Sequence, residues 1–113
     1  MSAIVVNYAQ DREAGGKFVV LAPVGSGDGL VLFSNFFLHS QHAYIVSYWE
    51  MKTQTSVREA GFRIDGGGWW KYIAGDRLKL YGSSAAFGEF DSDWIRENLR
   101  PGTVFTEQSF LIG

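Results

Sequence analysis

The chain has 113 residues, of which 46% are hydrophobic and 16% aromatic, and it carries a formal net charge of −2 with a pI near 5.6. That composition fits one folded domain with ample apolar area for a core, and it excludes a disordered chain. The charge balance offers no broad positive field for a nucleic-acid backbone, and the absence of cysteine excludes disulfides, thiol catalysis and thiolate metal sites.

In chain order, Ala3-Ile4-Val5-Val6-Asn7-Tyr8 is β-branched and lacks a basic flank, so it predicts a strand and not a signal peptide. No window is long and apolar enough for a bilayer span, which makes a cytoplasmic protein without a membrane partner the expectation. Gly15-Gly16 lead into a second strand, Lys17-Phe18-Val19-Val20-Leu21-Ala22. Gly25-Ser26-Gly27-Asp28-Gly29 then turns the chain into a third, starting Leu30-Val31-Leu32-Phe33. No Gly-Lys-Ser/Thr follows that glycine cluster, so it reads as a hairpin turn and not a phosphate loop.

Over residues 43–60 the apolar period becomes helical. Ile45, Tyr48, Trp49, Lys52, Val57 and Ala60 fall near one face, with Lys52 snorkelling, Ser40 as N-cap and Gly61 as the residue after the C-cap. Thr53-Gln54-Thr55-Ser56 is a weak helix interior and marks a local break. Phe62-Arg63-Ile64-Asp65 alternates like a strand, is kinked by Gly66-Gly67-Gly68, and continues through Trp69-Trp70-Lys71-Tyr72-Ile73. Ala74-Gly75-Asp76 turns into Leu78-Lys79-Leu80-Tyr81. A second helix opens at Asp91-Ser92-Asp93, turns Trp94, Ile95 and Leu99 inward, and stops before Pro101-Gly102. Either residues 103–106 or residues 110–112 supply a last strand. The order βββ-α-ββ-α-β predicts an α+β domain spanning residues 1–113: a mixed, mostly antiparallel sheet of about six strands with two α-helices.

Chemistry concentrates at three places. His39 and His42 are the only histidines, and with no further His or Cys a metal would have to recruit distant carboxylates, so no metal or other cofactor is expected. His39 reads as a strand-end residue. His42 stands at a helix start, where unpaired N–H groups and the macrodipole favour a nearby anion by roughly 0.3–1 kcal/mol. A neutral imidazole there can serve as nucleophile or general base toward a phosphoryl group; read from periodicity alone, it is also an ordinary helix-start histidine. The small-residue run from Gly82 to Gly88 is the third place, either an anion-binding nest of backbone amides or a plain strand-to-helix connection. Trp69-Trp70-Lys71-Tyr72 offers a platform for sugars or single-stranded nucleic acid, against which stands an alternation with Trp70 and Tyr72 on one face, Trp69 and Lys71 on the other, and one of the two faces packed in the core. Arg58, Glu59, Arg96 and Glu97 read as solvated helix faces, and Asp91 and Asp93 as first-turn helix acids.

Taken together, Gln41-His42-Ala43, Gly66-Gly67-Gly68 and Tyr81-Gly82-Ser83-Ser84-Ala85-Ala86-Phe87-Gly88 resemble, in order and spacing, the motifs of the Janus/Ocnus family of small phosphohistidine phosphatases. Lys17-Phe18-Val19-Val20-Leu21 resembles the strand bearing that family's active-site lysine, and the likeness extends over residues 15–106. The resemblance implies hydrolysis of phosphohistidine, or of a related phosphoramidate, on a protein or small molecule. It implies His42 as the catalytic histidine and Lys17 as the lysine near the scissile bond. The amides of His42, Ala43, Ser84 and Ala86 would cradle phosphate, with the Ser84 hydroxyl adding a bond. Trp69 stands where the family has an arginine, and Lys71, on the same strand face, is a partial substitute without the bidentate guanidinium fork. The alternative is a non-catalytic module that binds a phosphorylated partner with the same pocket. The oligomeric state is left open.

Overall fold

The computed structural model describes residues 2–35, 39–75, 77–100, 102–104 and 107–113. Strands β1 (Ala3–Asn7), β2 (Gly16–Pro23) and β3 (Gly29–Asn35) precede helix α1 (His42–Thr53). Then come β4 (Phe62–Ala74), β5 (Arg77–Tyr81), the two-residue β6 (Ser83–Ser84) and β7 (Gly88–Glu89), helix α2 (Ser92–Asn98), β8 (Gly102–Thr103) and β9 (Glu107–Ile112). The main sheet runs β1-β3-β2-β4-β5-β9-β8, with β6 and β7 paired beside β4. β1 pairs parallel with β3, and β9 with β5, whereas β2–β3, β2–β4, β4–β5 and β8–β9 are antiparallel. The sheet curls far enough for Ala3 to bridge to Leu99, and for the Asn7 side-chain amide to donate to the Val104 carbonyl.

Central strand β2 shows why its sequence is a continuous apolar run: both of its faces are buried. Phe18 and Val20 enter one core with Val31, Phe33, Trp70 and Ile95 of α2. Val19 and Leu21 point the opposite way and pack with Leu32 under Ile45, Val46 and Trp49 of α1. Trp70 is fully buried, and its indole N–H donates to the Ser34 carbonyl at 2.9 Å. Trp69 and Lys71 are exposed on the other face, so this stretch alternates and Trp70 is not part of a surface platform.

Several expectations need correction. The sheet has more than six strands, because β6, β7 and β8 are two-residue pairings too short to leave an alternating pattern. Both late segments, residues 102–103 and 107–112, form strands; residues 105–106 of the expected 103–106 strand, together with Asp76 and Pro101, lie outside the described residues. Helix α1 ends at Thr53 and not at Ala60. Gln54 turns left-handed (φ 56°) as its C-cap, in place of Gly61, and the Glu50 carboxylate accepts the Val57 N–H at 2.8 Å. The low helix propensity of residues 53–56 is the cause. Gln41, not Ser40, is the N-cap, and Lys52 and Ala60 are exposed. Helix α2 starts as predicted, with the Asp91 carboxylate accepting the Trp94 N–H at 3.0 Å. Asp91→Ala is expected to cost about 1 kcal/mol of stability, measured by chemical denaturation. Among the described residues no helix is long and apolar enough to cross a membrane.

Candidate functional site

The site forms where α1 starts above the seam between β2 and β4. A buried residue cannot leave its ring nitrogens unpaired cheaply, and His42, only 5% exposed, sets Nε2 at 2.8 Å from the Gly68 carbonyl. A carbonyl only accepts, so Nε2 carries the hydrogen and Nδ1 carries the lone pair. Burial pushes the His42 pKa below the usual 6.5; the Gly68 bond opposes this and the Lys17 charge adds to it. The ring is therefore neutral near pH 7.

Glycine in the middle of β4 makes this packing possible. A Cβ on Gly67 would stand 3.0 Å from His42 Cδ2 and 3.4 Å from the Ser84 Cβ, so the imidazole and the serine share one floor. Gly66, at φ 84°, takes the bulge that shifts register against β2 between Val19 and Leu21. Ser84 is buried and its hydroxyl accepts the Phe87 N–H at 3.1 Å, which closes the turn over residues 84–87. Two stretches about forty residues apart in sequence thus converge on one place.

Between them lies a cavity of about 190 Å3, lined by Lys17, Ser40, Gln41, His42, Ala85 and Ala86. That is below the roughly 300–1,000 Å3 of pockets for larger ligands and suits a small anion. Gln41 makes no side-chain cap at the helix start, so no capping side chain competes with an anion for the first-turn amides. Lys17 Nζ donates to the Ser40 carbonyl at 2.8 Å and lies 4.8 Å from the Trp69 ring centroid. A larger cavity of about 390 Å3, by Tyr8, Tyr48 and Lys52, has among the described residues no histidine in its lining, the side chain that ordinarily exchanges a proton near neutrality.

Of the residues expected in the site, His42, Lys17 and Ala86 line the cavity, while Ala43 and Ser84 are the chain neighbours of lining residues. Lys71 is outside the lining, exposed, with Nζ 5.3 Å from the Tyr81 ring. Trp69 donates its indole N–H to the Ser83 carbonyl at 3.1 Å, beside the 84–87 turn. Sequence reasoning missed the Ser40 carbonyl that holds Lys17, the Gly68 carbonyl that orients His42, and Ala85. The triple glycine was the available signal for Gly68. His39 sits apart, with Nδ1 2.5 Å from the Ser34 hydroxyl and its ring against Tyr48. Among the described residues no three His, Asp or Glu side chains gather as a metal site.

Because protonation of His42 is disfavoured in the fold, any activity that uses its lone pair persists above its lowered pKa and falls as pH drops through it. An acid limb with a midpoint below 6.5 is expected in kcat/KM. His39 is lowered too, by burial. Both groups then contribute stability that is present above pH 6.5, where the unfolded chain is also neutral, and is lost as pH falls through the folded values. Denaturation measured between pH 7 and pH 5 should show that decline. In comparisons with known proteins, no family model matches the chain and no curated protein matches it.

Proposed function

We propose that this chain is a hydrolase that removes phosphate from phosphohistidine or a related phosphoramidate, in the cytoplasm and with neither nucleic acid nor membrane as partner. The observation that carries the reading is a neutral, Nε2-anchored His42 lining a small cavity together with Lys17 and the turn at Ala85 and Ala86. The phosphoryl group sits at the helix start, its oxygens taken by backbone N–H groups of residues 42–43 and 84–86 and by the Lys17 ammonium. In the reaction the P–N bond breaks and its electron pair stays on the departing imidazole nitrogen, which takes up a proton from Lys17 or from solvent. His42 Nδ1 either attacks phosphorus, giving a phosphoenzyme that water then hydrolyses, or accepts the proton of the attacking water. Both roles use the same lone pair.

A non-catalytic phosphate-binding module is favoured by one specific observation. Among the described residues Lys17 is the sole cation lining the cavity, since Trp69 stands in the arginine position of the resembled family and Lys71 lies outside. The test is release of inorganic phosphate from a chemically phosphorylated histidine peptide, with phosphate binding measured in parallel by calorimetry. Turnover competitively inhibited by phosphate supports the hydrolase, and binding without turnover selects the module.

A further inference from the structure

Beside the cavity, the face of the sheet that carries α1 is only half covered. The helix packs against β2 and β3, and β4 and β5 continue past it with Trp69 37% exposed and Lys71 and Arg77 exposed. Register places the side chains of this open area. Lys17 pairs with Trp69, Trp69 with Tyr81, and Lys71 with Lys79, and directly paired residues share a face. Four of the chain's ten basic residues, Lys17, Lys71, Arg77 and Lys79, therefore collect on one area of a protein whose net charge is −2. Among the described residues no carboxylate comes within ion-pairing distance of Lys71, Arg77 or Lys79.

The aromatic rings here carry the ammonium groups and are not open stacking surfaces. Lys17 Nζ stands 4.8 Å from the Trp69 centroid, and Lys71 and Lys79 stand 5.3 and 5.9 Å from the Tyr81 centroid. Successive bases need free ring faces. What this area presents is cations spaced along two strands. Lys17 belongs both to it and to the cavity lining, so the two are continuous.

From this we infer that the substrate is a polypeptide whose phosphohistidine is flanked by acidic residues, which lie across Lys71, Arg77 and Lys79 while the phosphoryl group enters the His42 cavity. The inference rests on the proposed reading of that cavity. Two strand spacings and two residues separate Lys17 from Lys79, roughly 12 Å, or about four residues of extended peptide. Acidic residues about four positions from the phosphohistidine are thus the ones recognised. Recognition is electrostatic, so it weakens with salt.

The experiment uses the full chain and fluorescein-labelled histidine peptides with Glu, Gln or Lys at the flanking positions, read by anisotropy at low and high salt. The Glu peptide should bind about tenfold tighter than the Gln peptide at low salt, and Lys71→Glu/Lys79→Glu should abolish that difference. In turnover, Lys79→Glu should raise KM for the phosphorylated Glu peptide and leave hydrolysis of free phosphohistidine unchanged. Equal affinity for the three peptides overturns the inference, as does an oligothymidylate that binds more tightly than the Glu peptide with the same sensitivity to Lys71→Glu/Lys79→Glu. Absence of turnover on every substrate removes the hydrolase reading instead, and anisotropy still decides whether acidic peptides bind.

Discussion

His42→Ala should lower phosphohistidine hydrolysis by about 10²–10⁴-fold, the usual effect of removing a positioned base or nucleophile. The imidazole supplies the lone pair, and its Nε2 bond to Gly68 fixes which nitrogen offers it. The same change leaves the Gly68 carbonyl without this partner, at a cost of about 1–3 kcal/mol, so part of any loss could come from folding. His42→Gln separates the two effects. Its amide N–H can still reach the carbonyl, but it has no basic nitrogen. Single-turnover phosphate release, run beside denaturation curves, should show both variants inactive and the Gln variant the more stable. Full activity in a folded His42→Gln protein excludes the imidazole from the chemistry.

Gly67→Ala should be nearly as damaging, though it removes no functional group. The added methyl would lie 2.6 Å from the Phe18 carbonyl oxygen and 3.0 Å from His42 Cδ2. The approach to a ladder oxygen forces the β2–β4 pairing itself to shift, and the imidazole must in addition give by a few tenths of an ångström. Overpacking of this kind costs about 1–3 kcal/mol, and the rate should fall by up to about 10²-fold, the effect of a full 1 Å misplacement. Gly25→Ala is the control, because a methyl there meets nothing within 4 Å. Its rate and stability should match the unmodified protein, while Gly67→Ala falls in both.

Much of this arrangement was readable in the residues. A continuous apolar run gave β2, alternation gave β4, the period change gave α1, and Asp91 announced α2, because each is set by local side-chain pattern. Strands β6, β7 and β8 were not legible in the same way: pairing partners, not side-chain period, define strands of two residues. At the site, the type and place of His42 and the small-residue turn were legible, whereas the link between them was not. It runs through backbone, the Gly68 carbonyl and the bare Cα of Gly67, which has no side-chain chemistry to announce it. Lys71 illustrates the opposite error. Strand parity put it on the correct face, but parity says nothing about distance along the strand, and Tyr81 receives it instead of the cavity.

The way the sheet curls limits how this protein can meet a partner. β1 is the first strand of the sheet and would ordinarily invite an incoming chain to extend the ladder. Here Ala3 is engaged by Leu99 and Asn7 by Val104, so both ends of that border are occupied from within. Recruitment of a foreign strand along β1 is thereby discouraged.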